Sequence, residues 1–116
     1  MMPFMFFQQK IKQITVHDFR DANRKRPLVI DVSPMDVYKQ KHVPHSINVP
    51  LKILLKDPSQ YLTDKAYLIC DTGKISKKAV QKLQRKFDVT WVEGGTLQFG
   101  RHYKVERVQT IKAKDQ

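Results

Sequence analysis

Apolar residues along this chain fall into short runs whose spacing alternates between two periods. Leu28-Val29-Ile30-Asp31-Val32 is an almost continuous apolar run, the pattern of a short strand buried on both faces. Ala66-Tyr67-Leu68-Ile69 repeats it and ends at Cys70, and Val89-Thr90-Trp91-Val92 is a third run, closed by Gly94-Gly95. Between them the period lengthens. Ile75, Ala79, Val80, Leu83 and Phe87 recur at helical spacing. Thr15-Val16-His17-Asp18 resembles a capping box opening a helix that carries Phe19 and Ala22. Ser33-Pro34-Met35-Asp36 predicts a second helix start, with Ser33 at N-cap and Pro34 at N1, running to about Lys41. Pro44 and Pro50 bracket a loop, because helix is disfavoured before each proline, and Leu51, Ile53, Leu54 and Leu55 predict one or two further helical turns. Trp91, on an interior strand of this scheme, is expected in the core. Strand, helix, strand, helix, strand at these intervals predicts an α/β fold with a central parallel sheet flanked by helices.

The 116 residues match the usual length of one domain, and 41% hydrophobic residues can build its core. Intrinsic disorder of most of the chain is thereby excluded. No apolar run approaches the ~20 residues that span a bilayer. Met1-Met2-Pro3-Phe4-Met5-Phe6-Phe7 is apolar but has neither a basic region before it nor a small-residue cleavage site after it. It is expected to pack on the domain or touch a partner, with weak peripheral membrane contact through residues 1–12 as the second choice, since Lys10 and Lys12 follow. The expected boundaries are an apolar and basic extension over 1–13, a domain over 14–100 and a basic tail over 101–116, where Tyr103 and Val105 leave an edge strand and a closing helix equally open.

Charge and cysteine content sharpen the picture. Lys plus Arg number 22 against 11 Asp plus Glu, a formal charge of +11, which draws anionic partners without specifying a fold. One cysteine excludes an internal disulfide, a zinc ribbon and a CxxC pair, and suits a reducing, cytoplasmic setting. A lone buried cysteine is commonly just a small apolar side chain. Cys70, however, closes a strand at the end of the sheet where α/β proteins bind ligands. Asp71-Thr72-Gly73-Lys74 follows as a turn, and a helix begins within it. Gly73 allows a backbone conformation that aims successive N–H groups inward as an anion-binding nest, and the helix start adds partial positive charge. Lys74, Lys77, Lys78, Lys82, Arg85 and Lys86 lie within thirteen residues without an acid among them. A thiol so placed is expected to ionise more readily than a free cysteine.

These pieces together resemble the single-domain rhodanese-like sulfurtransferases. The resemblance runs from about Ile14 to Phe99, through Ile30-Asp31-Val32 with Asp36-Val37-Tyr38, His42-Val43-Pro44, Ile47-Asn48-Val49-Pro50, Leu68-Ile69-Cys70-Asp71-Thr72-Gly73-Lys74-Ile75-Ser76 and Val92-Glu93-Gly94-Gly95. It implies a three-layer rhodanese-like fold. It also implies sulfane sulfur carried as a Cys70 persulfide, taken from thiosulfate or a persulfide donor and passed to an external thiol or cyanide. The loop Asp71, Thr72, Gly73, Lys74, Ile75 and Ser76 would hold the substrate anion, with no cofactor and no metal. Some residues depart from the family pattern. Ser33 stands where arginine is usual, and His45 where glycine is usual in the His42-Val43-Pro44 segment. Asp71 stands beside the thiol where a basic or neutral residue is frequent. Phe99 stands where tryptophan is common. Ile75 replaces the frequent loop arginine, leaving Lys74 as its nearest substitute. Phosphatases of this fold place an arginine six residues after the cysteine; here that residue is Ser76, which argues against phosphate chemistry. A different class also fits these departures: a rhodanese-fold interaction or regulatory module with a slow or inactive cysteine.

Two other groupings carry less. His42 and His45 lack the further ligands a zinc site needs, so His42 is read as a structural hydrogen-bonder. Arg24-Lys25-Arg26 and the basic tail predict weak, nonspecific binding to nucleic acid or an anionic surface, without the aromatic interleaving of specific recognition. The oligomeric state is open.

Overall fold

The computed structural model of the protein describes residues 10–108; the apolar segment Met1–Phe7 lies outside them. Five strands form one sheet: β1 Gln13–Ile14, β2 Leu28–Asp31, β3 Ile47–Asn48, β4 Ala66–Ile69 and β5 Val89–Val92, in the order β1-β5-β4-β2-β3, with every pairing parallel. The helices are α1 Val16–Asn23, α2 Met35–Gln40, α3 Leu51–Lys56, α4 Pro58–Tyr61, α5 Lys74–Leu83 and α6 Gly95–Gly100.

The alternation of side chains along β4 separates the two faces of the sheet. Ala66, Leu68 and Cys70 face one side with Ile30, Val32, Leu54, Ala79, Val80 and Leu83, so α3 and α5 cover it. Tyr67 and Ile69 face the other, with Phe19 of α1 and Phe99 of α6. Phe19 is the hub of that layer, set edge-on to Tyr67 and Phe99 with ring centroids 5.5 and 6.0 Å away. A parallel sheet coated on both faces explains why β4 reads as an unbroken apolar run: all four of its residues are buried.

Thr15 caps α1, its Oγ1 accepting the Asp18 N–H at 3.1 Å. The second expected cap does not form. Pro34 occupies the cap position of α2, and Ser33 is buried one step earlier. Its N–H is taken by the Asp31 carboxylate at 2.8 Å, and its hydroxyl is used elsewhere. Two elements lack a periodic signal because they are only two residues long. Ile47–Asn48 lies in the proline-bracketed loop yet pairs with β2, and Gln13–Ile14 pairs with Trp91 and Val92. The glycine pair opens α6, Gly94 as its cap and Gly95 as its first residue. Residues 101–108 form neither strand nor helix: His42 and Glu106 make an isolated antiparallel bridge, while Tyr103 and Val105 pack on the α1–α6 layer. The rest of the basic tail, 109–116, lies outside the described residues.

Candidate active site

Connections leave β2 and β4 in opposite directions, β2 leading outward to β3 and β4 leading the other way to β5. The crevice between their carboxyl ends is the switch point where open α/β sheets bind ligands. Cys70 sits there. Asp31 lies opposite Ile69 in the register, so the turn after β2 abuts the turn after β4.

The loop 70–76 curls around its own sulfur. Cys70 Sγ accepts the Gly73 N–H at 3.2 Å, the Ser76 N–H at 3.3 Å and the Ser76 hydroxyl at 3.3 Å. Gly73 makes this geometry: its φ of +94° is a left-handed conformation that glycine adopts without the clash a side chain would meet. α5 starts at the next residue. Cys70 is 1% exposed and Ser76 fully buried, while Asp71, Thr72, Lys74 and Ile75 are exposed. Of the seven loop residues singled out from the sequence, then, Cys70, Gly73 and Ser76 meet at the sulfur. Among the described residues, no hydrogen bond reaches Sγ from Asp71, Thr72, Lys74 or Ile75.

Three residues outside the loop brace it. Ser33 Oγ accepts the Asp71 N–H at 3.1 Å, tying the β2 turn to the β4 turn. Trp91 Nε1 donates to the Gly73 carbonyl at 2.9 Å, and Lys77 lies over its ring, Nζ 5.2 Å from the centroid. Trp91 is therefore half-buried rather than in the core, with its polar edge turned to the loop. Gly95, at φ +64°, lets the start of α6 press against the same loop: the Thr96 N–H donates to Cys70 O and the Leu97 N–H to Asp71 O, both at 2.9 Å. The Gly94-Gly95 pair is the one sequence signal that marks this buttress, since two glycines after a strand announce a close backbone approach. Ser33 and Trp91 carry no such signal.

Asp31 is a buried carboxyl behind the loop. Burial pushes it above the usual carboxylate range, and the hydrogen bonds of Ser33 and the nearby His42 pull it back only in part. The folded protein thus holds this proton to a higher pH than the unfolded chain does. Stability falls as pH rises from the ordinary carboxylate range through the folded value, by at most about 1.4 kcal/mol per pH unit, and is flat above it. Asp31→Asn keeps an acceptor for the Ser33 N–H without the titration. Its urea-unfolding midpoints, followed against pH, are expected to lack that part of the decline; an identical slope in both proteins would refute the assignment.

His42 Nδ1–H donates to the Tyr38 carbonyl at 2.8 Å, the ring stacks on that of Tyr38 at 4.0 Å between centroids, and Nε2 lies 3.9 Å from Glu106. Its contacts belong to the scaffold. On the exposed side of α5, Lys74, Lys77, Lys78 and Lys82 follow one another at i, i+3, i+4 and i+8, with Arg85 and Lys86 in the next turn. None of the six pairs with an acid among the described residues.

A three-layer α/β domain that folds a strand-end cysteine into a cradle of its own loop donors is shared with known proteins. The rhodanese-like domain signature matches residues 15–102, and the chain belongs to that family. Over 96 residues it is 31% identical to the adenylyltransferase and sulfurtransferase UBA4 of Vanderwaltozyma polyspora, a match covering 71% of this chain but only 22% of that protein. The chain therefore spans about a fifth of that relative. A rhodanese-related protein of Thermoplasma volcanium superposes with a TM-score of 0.73 at 27% identity, covering 84% of this chain and 99% of the other. The thiosulfate sulfurtransferase of Pseudomonas aeruginosa gives 0.76 at 18% identity, over 86% of this chain and 21% of that one, a likeness of fold. Among the described residues no helix is long and apolar enough to cross a membrane.

Proposed function

We propose that the protein is a sulfurtransferase that carries sulfane sulfur on Cys70. What supports this reading most is the set of three donors on one sulfur, Gly73 N–H, Ser76 N–H and Ser76 Oγ–H, with no carboxylate among its hydrogen-bond partners in the described residues. Donors converging on a sulfur favour its anionic forms, thiolate and persulfide alike. The Cys70 thiolate attacks the outer sulfur of thiosulfate; the sulfur–sulfur bond of the donor breaks and sulfite leaves with the electron pair. A persulfide donor reacts in the same way and leaves as a thiolate. Cyanide or an external thiolate then attacks the outer sulfur of the Cys70 persulfide, departing as thiocyanate or a new persulfide and restoring the Cys70 thiolate. No oxidant is consumed. The acceptor is external, since the chain has no second cysteine to resolve the persulfide.

The unpaired cations of α5 favour approach of an anionic donor. Held only by charge, nucleic acid or an anionic surface would bind there weakly and without sequence preference. A thiol that must return to its free form on each turnover suits a reducing, cytoplasmic compartment.

The test is the intact mass of the full chain after incubation with thiosulfate, and separately with a low-molecular-weight persulfide. The expected result is a gain of one sulfur that cyanide removes, formed more slowly as salt screens the α5 cations. A protein that alkylates at Cys70 but accepts sulfur from neither donor would overturn the transferase reading. It would favour an interaction module instead, which the exposed Ile75 in place of the usual loop arginine already suggests as the alternative.

A further inference from the structure

We infer that Trp91 is a positioning residue that turns the Ser76 hydroxyl onto the Cys70 sulfur by occupying the Gly73 carbonyl. The inference rests on Cys70 as the reacting atom. The Ser76 hydroxyl owns one hydrogen and has two acceptors in reach, Cys70 Sγ at 3.3 Å and Gly73 O at 3.2 Å. For an O–H group, 3.2 Å to oxygen is longer than the normal range of about 2.5–3.0 Å. The larger radius of sulfur makes 3.3 Å a close contact there. The reason lies at the carbonyl, whose two lone pairs already have donors: the Lys77 N–H at 3.0 Å, as an ordinary helical bond, and Trp91 Nε1–H at 2.9 Å. With that oxygen filled, the serine proton is left for the sulfur.

The indole is held in this role from both sides. Its Cζ2 lies 3.5 Å from the point where a Gly73 Cβ would stand, and Lys77 covers its face. Removing only the indole N–H frees a lone pair on Gly73 O, and while Cys70 is a neutral thiol the Ser76 hydroxyl reorients onto it, because an oxygen acceptor is stronger than a neutral sulfur. Ionising Cys70 must then draw that proton back from the oxygen, so the thiolate gains less from its third donor without any change in the loop backbone.

Alkylation of Cys70 by iodoacetamide, followed by intact mass from about pH 5 to 9, reads this directly and needs no sulfur donor. Failure of sulfur transfer therefore leaves the outcome interpretable. That competition lowers the thiolate population on the acid limb by up to about tenfold. The greater nucleophilicity of the more basic thiolate returns roughly half of that on a logarithmic scale. Trp91→Phe is thus expected to move the acid limb to higher pH and to slow alkylation near pH 6 about three- to fivefold. Ser76→Ala, which removes the donor itself, is expected to slow it at least as much, and the double variant no more than Ser76→Ala alone. Trp91 is the only tryptophan, so biosynthetic replacement by benzothienylalanine, which has sulfur in place of the indole N–H, makes the same deletion with packing retained should Trp91→Phe fold poorly. A lowered melting temperature with an unmoved pH profile would reduce Trp91 to a structural residue. Equal slowing by Trp91→Phe with and without the Ser76 hydroxyl would show that it does not act through Ser76.

Discussion

Gly95→Ala is expected to destabilise the protein by about 3 kcal/mol or more and to disable whatever remains folded. A Cβ at this position would stand 2.3 Å from Cys70 O, 2.7 Å from Asp71 O and 2.8 Å from Gly73 N. All three are backbone atoms, so no rotamer change relieves the overlap. The φ of +64° adds a left-handed penalty of about 1–2 kcal/mol for any side chain. The clash resolves only by parting α6 from the loop 70–76, which breaks the Thr96 N–H to Cys70 O and Leu97 N–H to Asp71 O bonds. Cys70 O and Sγ belong to one residue, so a shift that frees the carbonyl also moves the sulfur away from the Gly73 and Ser76 donors. For a domain of this size the loss corresponds to a fall in melting temperature of about 10 °C or more. Gly100→Ala is the matched control. Its Cβ would meet only Val105 Cγ1, at 3.4 Å, and the change is expected to stay within about 1 kcal/mol of neutral. Calorimetry of both variants, with alkylation of the folded fraction, decides the matter; equal melting temperatures would mean that the loop and α6 are not wedged together.

Cys70→Ser is expected to abolish sulfur loading, by about a thousandfold or more, while the protein stays folded. A serine hydroxyl fits the space of the thiol and can use the same donors, so the stability loss is of the order of 1–2 kcal/mol. It remains protonated at neutral pH and is not a nucleophile toward a sulfane sulfur without an activating base, and among the described residues no base hydrogen-bonds to Sγ. Because Cys70 is the only cysteine, the variant has no thiol left to load or alkylate. Wild type should gain one sulfur and Cys70→Ser none, at matched far-UV dichroism. Sulfur that still binds the variant covalently would mean that Cys70 is not the carrier. A wild type that neither loads nor alkylates would make Cys70 a structural side chain of the β4 end.

Much of this arrangement was legible along the chain, for reasons that differ from residue to residue. The strands β2, β4 and β5 are each buried by helices on both faces, so burial itself wrote them as apolar runs. The amphipathic face of α5 was equally plain, because Ala79, Val80 and Leu83 must return to the sheet at helical spacing. The two-residue strands β1 and β3 were not legible, since two residues carry no period. Their pairing comes from the edges that β5 and β2 present once the sheet exists. Ser33 shows the same limit from the other side. Its local pattern is that of a helix cap, but Asp31 claims its N–H and the β4 turn its hydroxyl, and tertiary partners outbid the local one.

The candidate site divides along the same line. That Cys70 ends a strand, that a glycine turn follows and that a helix begins there are local facts, and the sequence by itself determined them, along with the α/β class and the cationic face of α5. Which donors reach the sulfur was decided only by the tertiary structure. Gly73 and Ser76 point inward while Thr72, Lys74 and Ile75 point to solvent, a distinction set by the φ of one glycine and the way α5 seats on the sheet. The bracing of that loop by Ser33, Trp91 and Gly95 joins segments 38, 18 and 25 residues from Asp71, Gly73 and Cys70 respectively. Hydrogen bonds and close backbone contacts act over a few ångströms in space, and nothing in the spacing of residues along a chain records which of them a parallel sheet will bring to the same end.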